Sequence, residues 1–199
     1  MKTLRIALWT TAAAAAVVLV AALLYVTVGS KAGSIGGPFR LRSAPGELVD
    51  SVSLKGKPYA IFFGFTHCPE ICPTTMMDMA ALMARLGDEA KGLRIFFVSV
   101  DPDRDTPAVL RDYLAAFEPH VVGLTGTPDE IAQVAKEFRV YYRKVRLTGD
   151  DYTMDHSAFV YLMGSDGNFF DVLGYQEAPD RALAKLKRLI ETDRKGSAL

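Results

Sequence analysis

A continuous apolar run, followed at once by two closely spaced cysteines, is the feature that most constrains the fold of this chain. The run extends from Tyr59 to Phe65 and contains only aromatic, aliphatic and small residues. Because it shows no polar alternation, it predicts a central β-strand that is covered on both faces. Cys68 and Cys72 come next, and Pro73 can occupy the first turn of a helix, where its missing N–H group does no harm. This order of strand, cysteine-containing turn and helix is typical of a thioredoxin-like domain.

The remaining pattern predicts an α/β fold with a mixed central sheet. Strands and helices alternate through the middle of the chain, and an antiparallel hairpin with a final amphipathic helix closes it. The turn at residues 44–47 predicts an N-terminal β-hairpin extension. The predicted strands are 39–41, 49–54, 59–65, 93–100, 121–124, 141–147, 158–163 and 169–173. The predicted helices are 73–86, 107–117, 128–138 and a last one that includes Leu183, Leu186 and Ile190.

The N-terminal residues predict a transmembrane signal anchor. Residues 6–28 are uncharged and, as a helix, would extend about 35 Å, enough to cross a bilayer. A cleaved signal peptide, the alternative, has a shorter apolar region. Residues 1–5 carry Lys2 and Arg5, which favour a cytoplasmic start. We therefore expect a single-pass protein of the bacterial inner membrane, with a flexible tether at 29–37, a periplasm-facing domain at 38–194 and a tail at 195–199.

The two cysteines favour reactive or ligand chemistry over a structural disulfide. They are the only cysteines in the chain, and a bond between residues four apart would cross-link little of the fold. At a helix N-terminus the dipole favours a thiolate, which both metal binding and disulfide exchange require. Dithiol oxidoreductases of this fold usually carry two residues between their cysteines, whereas three separate Cys68 from Cys72. Both chemistries remain open on spacing alone. The formal net charge of zero argues against a nucleic-acid partner.

His156, in Asp155-His156-Ser157, is the third candidate ligand. Two thiolates and one imidazole form a soft donor set that suits Cu(I) and also accepts zinc. Structural zinc normally has four protein ligands, so copper is favoured. Asp155 is interpreted as a group that could orient the histidine, and Met154 as a candidate auxiliary ligand. His67 is interpreted as an ordinary polar residue at the end of the strand.

Four sequence blocks occur in the same order as in a known protein family. They are residues 63–73, 98–107, 123–126 and 155–157, the last followed by Tyr161-Leu162 and Gly167. Over roughly residues 36–190 the chain resembles the Sco/SenC family of membrane-anchored, thioredoxin-like copper chaperones. Glu70 stands where many members of that family have aspartate.

The resemblance implies a copper site formed by Cys68, Cys72 and His156 that holds Cu(I) or Cu(II). Members of the family are implicated in assembling the dinuclear copper centre in subunit II of cytochrome c oxidase. We therefore expect a copper metallochaperone that binds one copper ion. Its expected partners are cytochrome c oxidase subunit II or another copper acceptor, and a separate copper donor.

A thiol–disulfide reductase that acts outside the cytoplasm is the alternative function, and a conventional enzyme is otherwise not expected. In this alternative Cys68, predicted to be the more exposed cysteine, attacks a disulfide of a partner protein and Cys72 resolves the mixed disulfide.

Overall fold

Strands and helices follow one another along the chain largely in the order predicted from the sequence. The computed structural model describes residues 16–20, 35–117 and 121–196. The strands between residues 35 and 196 are β1 (Arg40–Ser43), β2 (Leu48–Asp50), β3 (Tyr59–Gly64), β4 (Arg94–Ser99), β5 (Val121–Thr125), β6 (Tyr142–Arg146), β7 (Tyr152–His156), β8 (Val160–Met163) and β9 (Phe169–Leu173). The α-helices there are α1 (Ile71–Leu86), α2 (Pro107–Leu114), α3 (Pro128–Glu137) and α4 (Pro179–Gly196). Short 3₁₀-helices lie at Ser51–Leu54 and Gly87–Gly92.

A seven-stranded mixed sheet forms the centre of the domain, in the order β2-β1-β5-β4-β3-β8-β9. β3, β4 and β5 are parallel, which requires a crossover between each pair, and α1 and α2 provide these crossovers. β8 pairs antiparallel with β3, and β9 pairs antiparallel with β8. β6 and β7 form a separate two-stranded antiparallel sheet. This arrangement confirms the predicted thioredoxin-like α/β fold with a mixed central sheet.

Strand β3 is buried on both faces, as its continuous apolar sequence predicts. Phe62 and Phe63 point to opposite faces because successive side chains alternate along a strand. The Phe62 ring lies 5.8 Å from the ring of Phe97, measured between centroids. The Phe63 ring lies 5.3 Å from the ring of Phe138, which immediately follows α3. Both faces of β3 therefore contribute to the core, and its C-terminal end leads directly into the cysteine-containing turn.

Two predicted elements were wrong in detail. Residues 51–54, predicted to continue a strand, form a 3₁₀-helix because the Asp50 carboxylate accepts a hydrogen bond from the amide of Val52 and so caps a new helical turn. Residues 152–156, which none of the predicted strands includes, form β7 in full register with β6. The amide of Leu147 donates to the carbonyl of Asp151 and so closes the turn between β6 and β7.

Most of the predicted membrane anchor, residues 6–28, lies outside the described residues. Residues 16–20 are helical and belong to a unit separate from the domain that begins at Ile35. In the part of the chain that the structure describes, no helix has both the length and the apolar character needed to span a lipid bilayer.

Candidate metal centre

The structure brings the three predicted ligands, Cys68, Cys72 and His156, together at one site. One ligand atom from each residue lies within 4.8 Å of the other two. The Sγ atom of Cys72 lies 3.5 Å from Nε2 of His156. Two donor atoms that each lie about 2.3 Å from a shared ion are at most about 4.6 Å apart. The three donors therefore need only small shifts to bind one ion.

The two cysteines occupy different positions relative to α1. Cys68 lies in the preceding turn, where its amide donates to the carbonyl of Phe65 at 3.3 Å. The helix begins at Ile71, two residues earlier than predicted, because the carbonyl of Glu70 already accepts from the amide of Thr74. Cys72 therefore lies in the first turn of the helix rather than at the N-cap, where a helix that begins at Pro73 would place it. Its amide, one of those without a helical partner, donates to Sγ of Cys68 at 3.3 Å.

Gly64, the last residue of β3, allows the sulfur of Cys72 to approach the sheet. A Cβ atom at this position would lie 2.7 Å from Sγ of Cys72 and 2.8 Å from the ring of Phe62. Real Cβ atoms do not tolerate such separations, so a side chain here would displace Cys72 or its aromatic neighbour. The absence of a side chain at Gly64 thus sets the depth at which Cys72 lies.

His156 ends β7, and its ring stands edge-on to two aromatic rings. The ring centroids lie 5.7 Å from Phe65 and 6.0 Å from Phe62. Nδ1 lies 3.0 Å from the carbonyl oxygen of Ser157. Because a carbonyl only accepts, Nδ1 carries the proton in this hydrogen bond, and the lone pair of Nε2 faces the sulfur of Cys72.

The group that orients His156 is therefore not the one suggested by the sequence. The Asp155 carboxylate is exposed and lies 3.6 Å from the guanidinium of Arg143. Adjacent residues of a strand point to opposite faces, so Asp155 is directed away from the imidazole of His156. The carbonyl of Ser157 takes the orienting role instead.

The other candidate ligands lie in different environments. His67 is exposed, and its Nδ1 lies 3.1 Å from the hydroxyl of Thr66. Met154 is buried and lines a cavity of about 160 Å³ together with Pro128 and Ile131. The methionines on the inner stripe of α1, which are Met76, Met79 and Met83, are all buried in the core.

Hydrogen bonding and burial shift the pKa values of the two cysteines in opposite directions. The hydrogen bond from the thiol of Cys72 lowers the pKa of Cys68 well below the usual thiol range. Burial opposes this change, whereas hydrogen bonds from the amides of Cys72 and Glu70 add to it. Burial is the main cause that raises the pKa of Cys72, and the neighbouring Cys68 raises it further. Cys68 is thus the thiolate of the pair, and Cys72 holds the proton.

The sequence analysis missed two residues that contact the segments carrying the candidate ligands. Asp105 is fully buried and accepts hydrogen bonds from the hydroxyls of Thr66 and Ser99, each at 2.6 Å. Arg104 contacts Tyr152 at the start of β7. Both Arg104 and Asp105 belong to the block at residues 98–107 that carried the family resemblance, but no local pattern in that block indicates what they contact.

Comparisons with known proteins show which family this chain is similar to. A family model described as SCO1/SenC matches residues 28–191. The SCO2-like protein of Rickettsia felis is 39% identical over 77% of this chain and 76% of its own length. The mitochondrial protein SCO2 of Saccharomyces cerevisiae is 38% identical over 79% of this chain but only 54% of its own length, so the chain spans about half of that relative. The structure of Bradyrhizobium japonicum ScoI with copper bound is 47% identical, with a TM-score of 0.73, over 78% of this chain and 99% of that one.

The difference in acidity predicts that Cys68 is alkylated first and at unusually low pH. A lowered pKa means that the thiolate, which is the nucleophile, is already present at pH values where an ordinary thiol of pKa about 8.5 is protonated. Mass spectrometry of the reduced, metal-free protein after brief iodoacetamide treatment across a pH series measures this directly. Cys72→Ala removes the main cause of the low pKa of Cys68, so this variant should shift the rate profile of Cys68 to higher pH. Preferential labelling of Cys72 would contradict the assignment.

The contact at Gly64 predicts a specific loss of stability. Gly64→Ala should lower the free energy of unfolding by about 1–3 kcal/mol, because the added methyl group overpacks a buried site. Gly92→Ala is the matched control, since a Cβ atom at Gly92 meets no atom within 4 Å. Urea denaturation of the metal-free proteins measures both changes. Equal unfolding free energies for the two variants would show that the contact at Gly64 is relieved without cost.

Proposed function

Because the chain belongs to the SCO1/SenC family, we propose that it is a copper metallochaperone that carries one copper ion on Cys68, Cys72 and His156. Its proposed role is to assist assembly of the dinuclear copper centre of cytochrome c oxidase. The observation that most strongly supports this function is the convergence of two sulfur atoms and one imidazole nitrogen within 4.8 Å. Copper is here the cargo of the protein.

The donor set fits copper better than a structural metal. Among the described residues, the cluster contains three candidate protein ligands, whereas structural zinc sites usually have four. Thiolate sulfur is a soft ligand that favours Cu(I), and imidazole suits copper in either oxidation state. The low pKa of Cys68 supplies one thiolate without a cost for deprotonation near neutral pH.

The different exposures of the three ligands favour copper exchange with a partner protein that approaches from one side of the site. Cys72 is 0% exposed and Cys68 is 8% exposed, while His156 is partly exposed. Cys72 therefore forms the floor of the site, and an incoming ligand of a copper acceptor would approach past Cys68 and His156. We propose subunit II of cytochrome c oxidase as the acceptor, and a separate protein as the copper donor.

A location outside the cytoplasm is part of the same proposal. The uncharged residues 6–28 would anchor the chain in the bacterial inner membrane, with the domain in the periplasm. Anchoring would confine the search for a membrane-bound acceptor to two dimensions.

A thiol–disulfide reductase is the second candidate function, and the unequal acidity of the two cysteines favours it. The thiolate of Cys68 would form a bond to one sulfur of a partner disulfide, and the other sulfur would leave as a thiolate. Cys72 would then lose its proton and attack Cys68, which releases the partner as a dithiol and leaves an intramolecular disulfide. Copper and a partner disulfide would compete for the same sulfur atoms.

Substitution of His156 separates the two functions. His156→Ala should weaken Cu(I) binding on the order of 100-fold or more, because loss of a ligand should cost at least as much as loss of a supporting contact. The rate of disulfide formation between Cys68 and Cys72 should change little. Anaerobic competition titration with a chromophoric Cu(I) chelator measures the affinity, and His67→Ala is the control because His67 is exposed and outside the cluster. Unchanged Cu(I) affinity in His156→Ala would remove its role as a ligand and favour the reductase.

A further inference from the structure

One short segment contacts both parts of the chain that carry the candidate ligands. Residues 101–105 connect β4 to α2. On one side, Asp105 binds Thr66, which lies two residues before Cys68 in the turn. On the other side, Asp101 and Arg104 bind Tyr152, the first residue of the strand that ends in His156. The segment thus bridges the cysteine turn and the hairpin formed by β6 and β7.

The contact with the hairpin is partly buried and involves several atoms. Asp101 is 1% exposed and accepts from the hydroxyl of Tyr152 at 2.8 Å and from Nε of Arg104 at 2.5 Å. Nη1 of Arg104 donates to the carbonyl of Tyr152 at 2.9 Å. The guanidinium carbon of Arg104 lies 3.7 Å from the centre of the Tyr152 ring, in cation–π geometry. Arg104 therefore fixes both the backbone and the ring of Tyr152.

The hairpin needs such a contact because it lies outside the seven-stranded sheet. β6 and β7 hydrogen-bond to each other and form their own two-stranded sheet. An isolated two-stranded hairpin is marginally stable in water, so packing must set its position on the domain. Tyr152 and His156 are four residues apart in one strand and share a face of it. A displacement of Tyr152 would therefore be carried along β7 to the imidazole.

We propose that Arg104 is a positioning residue for the site. By joining Asp101 to Tyr152, Arg104 holds His156 against the two sulfur atoms. The expected effect of Arg104 on copper affinity rests on the function proposed above, whereas the effect of Arg104 on the position of the hairpin does not. A lysine in place of Arg104 keeps the charge beside the buried Asp101 carboxylate but loses the planar fork and the stacking on Tyr152. Arg104→Lys is therefore preferable to an alanine substitution, which would leave a buried carboxylate unpaired.

The first experiment measures hydrogen exchange in the metal-free, reduced 199-residue chain. In Arg104→Lys, amides of residues 152–157 should exchange faster than in the native chain, while amides of β3 and β4 should keep their protection. Arg146→Lys is the matched control, because Arg146 is exposed and lies opposite Tyr152 on the same hairpin. Tyr152→Phe, which removes only the hydroxyl that donates to Asp101, should show a smaller increase in the same amides and provides a second test if Arg104→Lys fails to fold.

The second experiment is a double-mutant cycle for Cu(I) affinity. Arg104→Lys alone should weaken binding by about tenfold, within the range typical of residues that support metal ligands. In a His156→Ala background the same substitution should cause no further loss, because there is no imidazole left to position.

Several outcomes would overturn the positioning role. Unchanged exchange at residues 152–157 would do so, as would an equal loss of affinity from Arg104→Lys in both backgrounds. A different result separates this inference from the proposed function. If His156→Ala leaves Cu(I) affinity unchanged, the metal-carrier function fails, and hydrogen exchange alone then decides whether Arg104 positions the hairpin.

Discussion

The close approach of the Cys72 sulfur to the backbone of Gly64 is the contact on which the site depends. It places the first turn of α1 directly against the end of β3, at the distance that only a residue without a side chain permits. Cys72 is consequently buried, and burial keeps its thiol protonated. That thiol in turn donates to Cys68 and stabilises its thiolate. The close contact between the end of β3 and the first turn of α1 therefore contributes to the raised pKa of Cys72 and to the lowered pKa of Cys68.

The sequence was sufficient to predict the parts of the molecule whose pattern is local. The apolar run at residues 59–65 predicted a strand covered on both faces, and the rings of Phe62 and Phe63 do pack in opposite directions. The position of Pro73 restricted the start of α1 to within two residues. The soft character of two cysteines and one histidine identified the residues that the fold brings together.

The features that the sequence did not reveal depend on contacts between distant residues. β7 is rich in polar residues and follows a turn, so its local pattern resembles a loop, and its register with β6 becomes visible only in the folded domain. The hydrogen bonds of Asp105 with Thr66 span 39 residues, and those of Arg104 with Tyr152 span 48. No periodicity encodes such pairs. Asp155 was proposed as a group that could orient His156, but alternation along β7 directs its side chain to the opposite face, and the carbonyl of Ser157 performs that role.

The three donor atoms are held by elements that differ in how firmly they are fixed. Cys72 lies in a helix that packs on the central strand, and the turn of Cys68 is tied to the core through Thr66 and the buried Asp105. His156 lies on a hairpin outside the main sheet, which side-chain contacts at Tyr152 attach to the domain. The proposed copper-carrier function requires a donor that can move away without disturbing the core. Of the three donors, the imidazole of His156 is the one whose supporting element meets that requirement, because the hairpin shares no backbone ladder with the seven-stranded sheet.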